Sequence, residues 1–265
     1  MPRLFLQPLA LNLSVALVGL LSWGTGLPAQ AQLSTELSFQ APPVGSPGNR
    51  EAGGVRSDTC ANTSEQAGLT ALVPATNVGL TTQATPQLFA YIPTNNAIFA
   101  ELRLIQESTG DEVYMANVSM PAVSTPGAAY AHQGSILNLS LPASVTLAPG
   151  ENYLWALMLV CNPDNRAEDI VVTAVVQRAD QGYLSTLSAE VGKQLSAVGT
   201  ASEGEKLITY SSAGLWQDLL TELFALVKAD PATYGPVWRD LLTDQGLGAI
   251  ANAPLYSSSL TVVAP

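Results

Sequence analysis

The sequence predicts an α+β chain: an N-terminal antiparallel β-sandwich followed by a C-terminal helical module of about four helices. Three observations predict it. From residue 69 to about 177, short alternating apolar runs are separated by Gly/Pro turns, with no helical spacing between them. After about Ala179 the apolar period lengthens to that of an amphipathic helix. Only 12% of the residues are charged, against about 25% in an average domain, so much of the surface is built from Ala, Ser, Thr and Val.

Residues 1–31 read as a secretory leader. Arg3 gives one positive charge, residues 9–21 form the apolar core, and Ala29 and Ala31 are the small side chains that place a cut before Gln32. A core of about 13 residues is short of the roughly 20 needed to cross a bilayer, and no later run reaches that length. The mature chain is therefore expected in the periplasm or outside the cell. Residues 32–58 carry Pro42-Pro43, Gly45, Pro47-Gly48 and Gly53-Gly54 without apolar periodicity and read as a disordered tail, with Arg50 and Arg56 as solvated linker charges.

The sandwich is expected over 59–179. Leu69-Thr70-Ala71-Leu72-Val73 is a strand stopped by Pro74. The stretch from Gln87 to Ile92 alternates, as does the run through Ala100, Leu102 and Leu104, which a loop at Ser108-Thr109-Gly110-Asp111 returns as residues 113–118. Leu137, Leu139 and Leu141 alternate with polar residues. Residues 153–161 are apolar on both faces, which marks a central strand, and 170–176 form the last one. The helical module is expected over 180–255. Leu184, Leu187, Val191, Leu195 and Val198 line one face of its first helix. Further helices follow from about 205 to 214, 215 to 229 and 235 to 245. Residues 256–265 form a Ser-rich, then β-like tail that receives no assignment.

Two cysteines, Cys60 and Cys161, are expected to form one disulfide in an oxidising compartment, closing a loop of about 100 residues. The alternatives are a redox pair, which lacks a Cys-x-x-Cys spacing, and a zinc site, for which a single histidine is too few. Removing the leader deletes Arg3 and no acid, leaving a net charge of about −12. That excess of acid disfavours nucleic acid and anionic lipid as partners.

Leu147-Ala148-Pro149-Gly150-Glu151-Asn152-Tyr153 resembles the tyrosine corner of fibronectin type III and other immunoglobulin-like domains. The resemblance implies an immunoglobulin-like sandwich with Trp155, Leu157 and Leu159 in its core. Tyr210, Gly214, Trp216 and Pro231 stand at spacings similar to those of one tetratricopeptide hairpin, over 205–230. Leu207, Leu219 and Leu226 replace the small residues where that repeat's helices cross, and no second copy follows.

A wider resemblance rests on the Gly/Arg-rich lead to Cys60, Leu69-Thr70-Ala71-Leu72-Val73-Pro74, Tyr91-Ile92-Pro93, Tyr153-Leu154-Trp155 followed by Cys161, and Gly214-Leu215-Trp216-Gln217-Asp218-Leu219-Leu220. From about residue 48 to 255 the chain resembles a cyanobacterial family of exported proteins, domain-of-unknown-function family 928. The resemblance implies an extracytoplasmic protein, β-rich then helical, with no activity or cofactor attached.

A search for chemistry returns little. His132 is the only histidine and lies in a polar turn. No Gly-x-Ser-x-Gly elbow, phosphate loop, dinucleotide fingerprint or Ser-x-x-Lys pair is present. Asp164, Glu168 and Asp169 share a loop whose oxygens are of the kind that holds Ca²⁺, but the spacing is not that of an EF-hand, and a solvated loop is expected. Asn62, Asn117 and Asn138 each open an Asn-x-Ser/Thr triplet and are read as chance matches. The expectation is a non-enzymatic protein-interaction or envelope accessory module without cofactor or metal, whose partner is another envelope or secreted protein. It has two rivals. One is a hydrolase of glycans or peptides using carboxylates at the strand–helix junction. The other is a carbohydrate-binding module that uses Trp155, Tyr183 or Trp238.

Overall fold

The computed structural model describes residues 37–46, 49–52, 60–62, 64–65 and 67–262. The expected leader, with Ala29, Ala31 and Gln32, and Arg56 of the expected tail lie outside the described residues. The strands are β1 (Thr70–Ala71), β2 (Val78–Thr81), β3 (Gln87–Ile92), β4 (Phe99–Gln106), β5 (Glu112–Val118), β6 (Ser135–Ser140), β7 (Asn152–Val160) and β8 (Ile170–Arg178). The helices α1 (Gln181–Leu184), α2 (Ala189–Ala197), α3 (Glu203–Ser212), α4 (Trp216–Ala229) and α5 (Pro231–Asp244) follow. Two more strands close the described chain, β9 (Leu255–Ser258) and β10 (Leu260–Val262).

Two sheets face each other, one of four strands in the order β1-β3-β6-β9 and one of six in the order β10-β5-β4-β7-β8-β2. Alternation decides which side chains meet between them. Leu88, Ala90, Leu137 and Leu139 of the first sheet, and Leu102, Leu104, Trp155, Leu157 and Leu159 of the second, join one buried cluster. Strand β7 sits between β4 and β8, as its two-faced apolarity predicts.

The expected antiparallel pairing needs correction. β2 runs parallel to β8, with Val78 opposite Val175, and β9 runs parallel to β6, with Ile136 opposite Leu255. Neither pair is joined by a hairpin. The chain leaves β1 at Val73-Pro74 and crosses to the other sheet before β2, and it reaches β9 only after the helices, so no tight turn forces opposite directions. Strand β8 is therefore not the last strand. Apart from Leu255, which falls at the end of the expected helical module, the two closing strands lie in the unassigned stretch 256–265, and each joins a different sheet.

Helices α3 to α5 pack on the outer face of the four-stranded sheet, and α1 and α2 lie against β2 and β8 at the edge of the other. Phe89, Tyr91 and Ile136 meet Trp216, Leu219, Leu220, Leu223, Phe224 and Trp238 in a second core. Every helix start except that of α4, which follows Leu215, has a side-chain cap. Asp180 accepts from Tyr183 N–H, Ser188 from Val191 N–H, and Asp230 from Thr233 N–H ahead of Pro231. Ser202 and Glu205 form a capping box. Gly214 turns α3 into α4 at φ 66°, a conformation that L side chains disfavour. A Cβ there would also come within 2.8 Å of the Tyr183 hydroxyl, which donates to Ala213 O at 2.7 Å.

Part of the expected tail is packed on the body. Leu37 and Phe39 are buried, and the Phe39 ring meets Trp216 edge-on at 4.8 Å. Residues 50–52 hydrogen-bond beside β1, with Ala52 N–H to Leu69 O at 2.8 Å and Ala71 N–H to Arg50 O at 2.7 Å. Arg50 is thus no solvated linker charge. Its guanidinium donates to Val73 O at 3.0 Å and lies against Gly246, beyond the carbonyl end of α5, where a cation is favoured. Cys60 and Cys161 form a disulfide with Cα atoms 5.6 Å apart, and no described helix is long and apolar enough to cross a membrane.

Candidate functional site

The Gly214-Leu215-Trp216-Gln217-Asp218-Leu219-Leu220 segment is where helix meets sandwich. Trp216 is fully buried, and its Nε1–H donates to the Leu72 carbonyl at 2.7 Å. Gln217 lies against Gly79 of β2, where a Cβ would stand 2.5 Å from Gln217 Nε2, so any larger residue would displace the buried Gln217 amide. The Asp218 carboxylate accepts from Thr82 N–H at 2.9 Å, from the Thr82 hydroxyl at 2.7 Å and from Gln83 Nε2 at 3.4 Å. Burial raises the Asp218 pKa against the opposing pull of these bonds. The three consecutive residues form an anchor between the two layers, with Asp218 as an acceptor for a strand end.

The other candidate groups are also engaged internally. Asp180, at the β8–α1 junction, accepts from Tyr183 N–H at 2.7 Å. Arg166 pairs with Asp169 and reaches Glu101 at 3.6 Å. Glu101 also takes Arg103 at 2.7 Å, so these carboxylates are bound into an ionic network on the six-stranded sheet. Glu168 accepts from Asn165 Nδ2 at 2.6 Å, while Asp164 uses its backbone N–H on Asn162. Among the described residues no three His, Cys, Asp or Glu side chains gather as a metal site. His132 Nε2 lies 3.1 Å from Ala97 O, and its backbone pairs with Asn95 in both directions.

Of the stacking candidates, Trp155 and Trp238 are buried, in different cores. Tyr183 belongs to a third cluster and is half-buried, so the three form no shared surface platform. The Tyr153 hydroxyl accepts from Ala148 N–H at 3.1 Å, and Gly150 N–H donates to Arg178 O at 2.8 Å. Leu147 is buried beneath this corner. Tyr210 packs at the edge of two cores, beside α4. Asn138 donates to Gln87 Oε1 at 2.6 Å, and Asn62 accepts from Ser64 at 2.5 Å, while Asn117 is exposed on β5.

An open cleft lies on the outer side of the helical hairpin. Between α2 and α3, Gln194, Ala197, Thr200, Ala201, Glu205 and Ile208 line a space of about 450 Å³. Not one residue of α2 is buried. Its apolar face, with Leu187 ahead of it and then Val191 and Leu195, is only partly covered by the cluster around Val78, Leu80 and Val175. Glu205 turns back to cap Ser202, and those bonds lower its pKa. Helical periodicity in the sequence marks the inward stripe of α2. It does not mark Ala197 of α2, Ala201 of the connection or Ile208 of α3, because these residues come together only when the two helices stand side by side.

No curated protein and no solved structure matches this chain. Residues 51–255 match the model of DUF928, a Domain of Unknown Function; the match takes in the disulfide, the strands from β1 to β8 and the five helices, and the chain belongs to that family.

Proposed function

We propose that the protein is a non-catalytic interaction module that works outside the cytoplasm and receives an apolar segment of another exported protein in the α2–α3 cleft. The observation that carries this reading is α2 itself: an amphipathic helix with no buried residue, standing beside a cleft of about 450 Å³ floored by Ala197, Ala201 and Ile208. The internal engagement of Asp180, Asp218, Asp169 and His132 supports a structural use of the fold's polar groups. The disulfide supports an oxidising location. An immunoglobulin-like sandwich is the scaffold in this reading. The order β1-β3-β6 against β5-β4-β7-β8 corresponds to strands A-B-E against C′-C-F-G, with the Tyr153 corner opening the F position.

The test is site-specific photocrosslinking in the native host. A crosslinker at position 197 gives one discrete adduct with an exported protein, and Ala201→Arg abolishes it without changing thermal unfolding. An adduct pattern indifferent to Ala201→Arg overturns the cleft. Turnover of a glycan or peptide that a single carboxylate substitution removes overturns the non-catalytic assignment.

A further inference from the structure

A second cleft, of about 410 Å³, lies where the turn after β3, the residues ahead of β6 and the segment leading to β9 come together. The Glu65 carboxylate stands in it. Glu65 Oε2 accepts from the Tyr91 hydroxyl at 2.6 Å, and Oε1 accepts from Thr94 N–H at 3.2 Å and Asn62 Nδ2 at 3.3 Å. Thr94 is held in turn by Gly134 N–H, which donates to Oγ1 at 3.2 Å. All these donors are neutral. They orient both carboxylate oxygens and supply no positive charge to them. The ion pairs among the described residues join other carboxylates, namely Glu101, Glu112, Asp169 and Glu222. The remaining lining is mostly short and apolar, including Ala67, Ile250, Ala253 and Pro254.

A fixed carboxylate without a counter-ion among the described residues, standing in a cleft, favours a cationic ligand. Each of its oxygens already accepts from the protein, which leaves little room for the two parallel bonds of a guanidinium. A compact ammonium needs a single approach direction, and the apolar walls suit an alkyl stem. We propose that this cleft binds a primary ammonium group on a short alkyl stem, with Glu65 as its counter-ion, held in place by Tyr91 and Thr94. The inference does not depend on the α2–α3 cleft.

The test is a ¹⁵N-labelled full chain titrated with n-butylammonium chloride at constant ionic strength, with n-butanol as the neutral isostere. Saturable shifts of the Thr94 and Gly134 amides with the ammonium alone are expected. Glu65→Gln weakens binding about tenfold or more, the scale of one lost charge-assisted contact. Because Glu65 also secures the turn that carries it, Ala253→Phe gives a second variant, which fills the cleft from an apolar wall and abolishes binding with the carboxylate intact.

N-acetyl-lysine amide and glycylglycine amide separate a lysine side chain from a chain terminus as the source of the ammonium. Binding by either supports the site. Equal shifts with butanol, no saturable shift with butylammonium, or unweakened binding in both variants overturns it. Ala201→Arg leaves this titration unchanged, so failure here is distinct from failure of the α2–α3 cleft.

Discussion

Trp216→Phe tests how the two layers are joined. The substitution removes the indole N–H that meets the Leu72 carbonyl at 2.7 Å. Leu72 is itself fully buried, so no water replaces the lost donor, and an unmet buried carbonyl costs about 1–3 kcal/mol. The smaller ring also leaves part of the second core empty, adding about 1 kcal/mol. The expected loss is thus roughly 2–4 kcal/mol. The assay is urea unfolding followed by far-UV circular dichroism, with the loss read from the midpoint at unchanged slope. Phe39→Ala completes a double-mutant cycle. The edge-on contact with Trp216 predicts a coupling of about 0.5–1.5 kcal/mol, which would show that residues before the first strand help to seal the interface. A Trp216→Phe loss below about 0.5 kcal/mol at constant slope would refute the reasoning, since it is no larger than an ordinary surface change.

Gly79→Ala is expected to destabilise by about 1–3 kcal/mol, because its Cβ would meet the buried Gln217 amide. Gln217→Ala in the same chain should recover most of that loss, and failure of the rescue would place the strain elsewhere. Asp218 has a pKa raised above 3.8 by burial, so the folded chain holds a proton where the unfolded chain has released it. Its contribution to stability therefore falls as pH rises from the ordinary carboxylate range through the raised folded value. Asp218→Asn should flatten this part of the profile, as measured by urea midpoints at several pH values; an unchanged slope would contradict it. Opening the Cys60–Cys161 disulfide, which spans 101 residues, should lower stability by up to about 4–5 kcal/mol in the chain-entropy model. Equal denaturation midpoints for the oxidised protein and a Cys60→Ser/Cys161→Ser variant would show that the bridge adds nothing to the folded state.

Local pattern made much of the β body readable. Strands β4, β5, β7 and β8 bury mainly one face, while β3 and β6 are covered on both; in each case a short apolar or alternating run of neighbours records the strand. The Gly214 turn between α3 and α4 is readable, whereas Asp230-Pro231, which reads as a helix stop, also caps and starts α5, four residues ahead of the expected Gly235. Other features were out of reach because they depend on partners far along the chain. Leu37 and Phe39 look like stray apolar residues in a proline-rich stretch until Trp216, far downstream, supplies their contact. The direction of β2 and β9 is set by where the chain re-enters a sheet, which no local period encodes. Arg50 has the neighbours of a linker charge, and the Val73 carbonyl and the end of α5 give it a place. The clefts were the least readable part. A groove exists only between elements, and nothing in the neighbours of Glu65 along the sequence marks the donors that Tyr91 and Thr94 bring to it.

Strands β9 and β10 work as a late double fastening. They are consecutive in the chain, yet one completes the flank of each sheet, with Ser259 between them bonded to Ser119. Until these residues are made, β5 and β6 both present bare edges, while the helical module between Arg178 and Leu255 is synthesised. A polypeptide that stops short of residue 255 would present the longer strands β6 and β5 as sheet edges in place of the short β9 and β10. Shortened forms of this protein are therefore expected to associate through those borders, even though the helices and most of the sandwich are already in place.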